Sequence, residues 1–190
     1  ARKTWYIQKQ QITGYQKENQ LYCVAATYNI DERSKVPLFN GKVLTVYNYA
    51  NQDKVNGLSL GNNRSYLCAR VPNASETGKL IVAPCFLPNI FGGPYWVLYA
   101  GPDPDNYLWA VVIGGQPNYC PYNTTNTTPC TTKETGFNNS GLWIFSRERM
   151  MDEKIIDNII TYLISIGIYT GLLKDVVQEG CNYTDAFIKY

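Results

Sequence analysis

Residues 141–147 read Gly-Leu-Trp-Ile-Phe-Ser-Arg. Leu142, Ile144 and Ser146 alternate with Trp143 and Phe145, the period-two pattern of a β-strand, and Arg147 follows on the aromatic face. Directly afterwards the pattern changes: Ile155, Ile156, Ile159, Ile160, Leu163 and Ile164 recur at helical spacing. The stretch is therefore the last strand before a helix. At the other end of the chain lies a short strand, Thr4-Trp5-Tyr6-Ile7, and an arginine over an indole is a favourable cation–π pair. If first and last strands are neighbours, the sheet between them is closed and has an inside.

Strand-like runs recur from the first of these to the last: Thr4–Gln11, Leu21–Asn29, Lys42–Ala50, Val55–Leu60, Ser65–Val71, Lys79–Phe86, Tyr95–Ala100, Tyr107–Ile113 and Leu142–Ser146. Turn signals separate them, among them Phe39-Asn40-Gly41, Pro72-Asn73-Ala74, Gly92-Gly93-Pro94 and Gly101-Pro102-Asp103-Pro104. Antiparallel strands at this spacing suit an up-and-down barrel or a sandwich. Residues 114–140, rich in Asn, Thr, Pro and Gly, read as a long surface loop stapled by Cys120–Cys130. Alternatively, the loop is a disordered insertion with its cysteines paired elsewhere. Asp152 and Glu153 start a helix over about 152–166, Leu172–Val177 add a further turn, and the tail runs 167–190. The whole chain, 1–190, is expected to be a single domain, with barrel strands over about 4–147.

Composition narrows the function. Net charge is +2 with the basic residues dispersed, so there is no basic stripe for nucleic acid. Aromatics make up 14%, including 16 Tyr, which favours strands and a pocket over a helical bundle. There is no histidine and no Cys-x-x-Cys, which argues against zinc and removes Ser-His-Asp and Cys-His catalysis. Six cysteines, with sequons at Asn63, Asn73, Asn123, Asn126, Asn138 and Asn182, point to a secreted glycoprotein. The start, Ala1-Arg2-Lys3, has no apolar leader, so a signal peptide is expected to have been removed. The segment 155–173 carries Asp157, Asn158 and Thr161, too polar for a membrane span.

In their order along the chain these motifs resemble those of the lipocalins, particularly the branch with apolipoprotein D, the bilin- and carotenoid-binding proteins and the bacterial and plant members. Thr4-Trp5-Tyr6 is similar to the first family motif, Cys23–Tyr28 to the cysteine-bearing second strand, Pro94–Leu98 leading to Asp105-Asn106-Tyr107 to the second motif, and Leu142–Arg147 to the third. Lys3 stands where a glycine is expected, the turn Gly101–Asp105 is longer than the family's, and the 114–140 insertion is unusual. The resemblance implies an all-β fold, an eight-stranded up-and-down antiparallel barrel with one C-terminal α-helix packed outside. It also implies Trp5 and Arg147 stacked at a closed end, as a structural pair, and a Cys23–Cys181 disulfide. Cys68 and Cys85 flank the Pro72–Gly78 turn nearly symmetrically and are paired on that ground, one choice among several connectivities.

A barrel of this kind carries a small hydrophobic ligand: a carotenoid, a bile pigment of the biliverdin type, or a lipid, retinoid or fatty acid. Alternation places Trp143 and Phe145 inside. With Cys23 directed outward to the tail, Val24, Ala26 and Tyr28 face in. Outward Cys68 and Cys85 put Leu67, Ala69, Leu80 and Val82 inside. Asn48, Tyr95, Trp96, Tyr99, Tyr107 and Trp109 are further candidates whose parity the sequence leaves open. No catalytic or metal-binding residue is expected. An isomerase-type enzyme on the same fold and a glycosylated adhesion protein stay open as alternatives, as does a homo-oligomer.

Overall fold

The computed structural model describes residues 3–30, 35–61, 66–122, 129–184 and 186. The sequons at Asn63, Asn123 and Asn126 lie outside the described residues. Among the described residues there are ten strands: β1 (Lys3–Gln11), β2 (Tyr22–Ile30), β3 (Val43–Gln52), β4 (Leu58–Ser59), β5 (Leu67–Arg70), β6 (Lys79–Pro84), β7 (Gly93–Asp103), β8 (Asn106–Ile113), β9 (Leu142–Ser146) and β10 (Leu173–Asp175), with helix α1 (Glu153–Ser165) between the last two. Each main strand pairs antiparallel with the next, and β1 returns to pair with β9, so eight strands close into a barrel. The closing register sets Tyr6 opposite Ser146, Ile7 opposite Phe145 and Gln10 opposite Trp143. The chain thus has the closed sheet that 141–147 implied.

Strand β9 is buried on both faces. Trp143 and Phe145 join Ile7, Val24, Ala26 and Val112 inside the barrel. Leu142 and Ile144, on the other face, meet Val111, Ile113 and the helix residues Ile156, Ile159 and Leu163. Helix α1 starts where Asp152 Oδ1 accepts from the Lys154 backbone N–H at 2.8 Å. It ends in a Schellman motif: Ile168 N–H donates to Leu163 O and Gly167 N–H to Ile164 O, with Gly167 at φ +81°. The buried stripe is narrower than the apolar pattern, because a helix lying on a sheet buries only the face turned to it. Ile155 and Ile164 are left outside, 38% and 51% exposed.

Three disulfides join Cys23 to Cys181, Cys68 to Cys85 and Cys120 to Cys130. The first pins the tail to β2, over a cluster of Tyr47, Tyr49, Tyr183 and Ala186. Arg147 lies over the Trp5 ring at 3.5 Å and donates to Thr4 O at 2.8 Å. Burial pulls its pKa down to about 10, opposed by Tyr28 nearby, so it stays a cation at neutral pH.

Four expectations need correction. Leu172–Val177 is not a helical turn. Residues 173–175 form β10 beside Lys9–Gln11, on the side where β2 pairs only as far as Tyr6; an open strand edge recruits a partner. Residues 55–60 give only the two-residue β4, because Asp53 and Asn56 turn the chain with positive φ. Strand β7 runs on through Gly101 and Pro102 to Asp103, with a register shift absorbing the irregularity. Finally, 114–140 is not only surface. Thr131 and Thr132 are fully buried, Gln11 donates to Thr132 O, and Cys130 N–H and O bond Gly167 and Tyr169 beyond α1.

Candidate functional site

The barrel interior is not filled. A cavity of about 610 Å³ opens at one end, a size typical of sites for small organic molecules. Its wall is mostly apolar: Ile7 from β1, Val24 and Ala26 from β2, Val46 and Ala50 from β3, and Trp143 and Phe145 from β9. Among the described residues no wall side chain carries a formal charge.

Two loops meet at the rim. Tyr15, from the β1–β2 loop, stacks on Phe137, from the 114–140 segment, with ring centroids 6.4 Å apart and planes 13° apart. The contact requires Gly14, where a Cβ would lie 2.4 Å from Gly136 O. With Phe91 these rings line the cavity while remaining exposed. Trp5 and Arg147 are at the opposite end of β1 and do not line the cavity.

Of the candidates from sequence, Val24, Ala26, Tyr28, Asn48, Tyr95, Trp143 and Phe145 all line this cavity, as do Leu67 and Val82. Tyr28 and Tyr95 reach across the barrel to each other, hydroxyl to hydroxyl at 2.5 Å. Burial pushes Tyr28 up to about 12 and Tyr95 well above its ordinary value, so both are neutral hydroxyls at any physiological pH. In a pair of hydroxyls one donates to the other, which leaves one hydrogen and several lone pairs for a third group. Tyr95 also packs on Trp143, centroids 6.1 Å apart. Asn48 sits mid-strand opposite Ala26, inside the barrel, yet it is exposed.

The other candidates lie elsewhere. Ala69 is buried inside the barrel but packs solidly with Val46 and Leu80 and does not itself border the cavity. Trp96 is outside, against the helix-side core with Lys79 over its ring. Trp109 and Tyr99 are also outside: their rings meet at 4.8 Å, and Tyr99 packs on Tyr162 of α1 at 4.4 Å. Tyr107 is exposed near the β7–β8 turn. The cause for Tyr99 is a bulge between Val97 and Tyr99. Plain alternation from inward Tyr95 would turn Tyr99 inward; the extra residue turns it to the helix side, opposite Val111.

Sequence reasoning missed Ile7, Gln10, Tyr15, Phe91, Phe137 and Ser140. Ile7 was within reach, since it lies opposite Phe145 once β1 and β9 are paired, whereas Gln10 faces inward only because a register shift between Ile7 and Lys9 inverts plain alternation. The rim residues are on loops, where no periodicity applies.

No family model and no curated protein sequence matches this chain. Solved structures do. Apocrustacyanin C1 superposes with a TM-score of 0.58 at 19% identity, over 97% of this chain and 81% of that one. H1 crustacyanin from the lobster Homarus americanus gives 0.57 at 15% identity, over 97% and 81%. Per a 4, a major allergen from cockroaches, gives 0.54 at 15% identity, over 95% and 85%. The closed eight-stranded barrel with its helix outside is the lipocalin fold.

Proposed function

We propose that this protein binds a small hydrophobic ligand in its barrel and carries or sequesters it outside the cell. One observation carries the reading: Asn48 occupies an inward position in the middle of a barrel strand and is still exposed, because the interior beside it is open. An apolar molecule entering there gains about 25 cal/mol per Å² removed from water. The uncharged wall suits a neutral ligand. Its flat aromatic surfaces, Trp143, Phe145 and Tyr95, suit a conjugated pigment such as a carotenoid or bilin, or a retinoid. The solved structures named as apoproteins, that is, proteins freed of a bound group, support a ligand-holding role. Extracellular location is supported by the pairing of all six cysteines and by the exposure of the sequon residues Asn73, Asn138 and Asn182. The same disulfides leave no thiol for covalent catalysis, which weighs toward binding over an isomerase-type activity.

The test is the ultraviolet–visible spectrum of protein purified from its source, with mass spectrometry of an organic extract. A bound chromophore or lipid at near one per chain is the expected result. A colourless protein that yields no extractable molecule and takes up no retinoid, bilin or carotenoid on titration would overturn the proposal.

A further inference from the structure

Four glutamines are buried among the described residues, Gln8, Gln10, Gln11 and Gln178, and three have both ends of the carboxamide occupied. Gln8 donates to Tyr6 O and Arg149 O and accepts from Met151 N–H. Gln11 donates to Thr132 O and accepts from the Thr131 hydroxyl. Gln178 donates to Ile7 O and Val24 O and accepts from the Tyr183 hydroxyl. Gln10 differs. It is fully buried, neither Nε2 nor Oε1 has a hydrogen-bond partner, and it belongs to the cavity wall, opposite Trp143. A second wall group, Ser140 Oγ, is also buried without a partner.

Folded proteins seldom keep both ends of a buried amide unbonded, because the lost hydration is not recovered. A carboxamide presents donors and an acceptor in one plane. Its complement is a group offering an acceptor and a donor side by side. Since the wall, among the described residues, holds no charge to balance an ionised head group, that complement is neutral.

We propose that Gln10 is a specificity-determining residue of the cavity. It pairs with a neutral donor–acceptor end group, a primary amide or lactam, on an otherwise apolar ligand, with Ser140 as a second free partner on the same wall. The inference rests on the barrel being a ligand site. Both polar atoms are sealed from solvent as the side chain stands, so this pairing requires the carboxamide to turn into the cavity.

The test titrates dodecanamide and methyl dodecanoate into the wild-type protein and Gln10→Met, read by quenching of tryptophan fluorescence. The two probes share a chain and a carbonyl; only the amide keeps an N–H. Wild type should bind the amide about tenfold more tightly than the ester, and Gln10→Met should abolish that preference. Equal affinity for both probes in wild type, or a preference that survives Gln10→Met, overturns the proposal. Methionine has nearly the same length and no group to satisfy, so the variant should melt at or above the wild-type temperature. A fall of several degrees would mean that Gln10 already holds a structural partner, and overturns it too. An environment-sensitive apolar dye separates the two levels: dye binding without the amide preference sinks the role of Gln10 alone, and no binding of dye or either probe sinks the ligand site with it.

Discussion

The two faces of β9 meet different fates, although both are apolar and both are buried. Outward, Leu142 and Ile144 meet Ile156, Ile159 and Leu163, and the space between sheet and helix is closed. Inward, Trp143 and Phe145 border about 610 Å³ of open cavity. A helix can approach a sheet until the side chains touch, so an outer interface packs to density. The wall of a closed barrel cannot move inward, because its diameter is set by strand number and stagger. Side chains too small for that diameter leave space. The outer face is packed solid, and the inner one borders the cavity proposed to take the ligand.

That contrast is most directly broken from outside. Leu163→Ala, at a fully buried position, should cost about 2–5 kcal/mol in urea unfolding, because the outer interface cannot collapse onto the lost atoms. A loss well under about 1 kcal/mol would mean that the helix is loosely seated. Adding volume sharpens the comparison. Val111→Phe, on the helix side, should cost about 1–3 kcal/mol by overpacking. Ala26→Phe adds more side chain but projects into the cavity, so it should change stability little and weaken ligand uptake at least about tenfold. Equal stability losses for the two variants would show that the inside is as full as the outside.

The smallest effect concerns pH. Burial raises Tyr28 to about 12, whereas in the unfolded chain it ionises near its ordinary value of about 10. Between those values the folded protein holds a proton that the unfolded chain releases. The stability linked to Tyr28 is therefore whole below about pH 10 and is lost as pH rises toward 12. The melting temperature should fall over that interval, and Tyr28→Phe should flatten the fall. An unchanged slope in the variant would contradict a buried Tyr28–Tyr95 pair.

How far the sequence could be read follows from the same physics. The main barrel strands, their order, the helix and the closing aromatic strand are legible because each is a periodic pattern. Val24, Ala26, Tyr28, Trp143 and Phe145 were placed on the cavity face by parity from a fixed neighbour. Tyr99 was not placeable, since one bulged residue inverts the parity beyond it. Strand β10 was misread because its three residues form a strand only by pairing with the exposed edge of β1. Gln10 was overlooked because a glutamine between polar neighbours in a strand reads as a solvent-facing residue. Only the pairing with β9 turns it inward.

By itself, then, the sequence determined which residues alternate, where the chain turns, and that its first and last strands carry the indole and guanidinium that meet as Trp5 and Arg147. These are local properties, written at periods of two and 3.6 residues. The tertiary structure alone decided that the inside stays open, that Tyr15 and Phe137 meet at its rim, and that Gln10 has no partner. Each depends on the distance between walls brought together from far apart in the chain, and no periodicity encodes that distance.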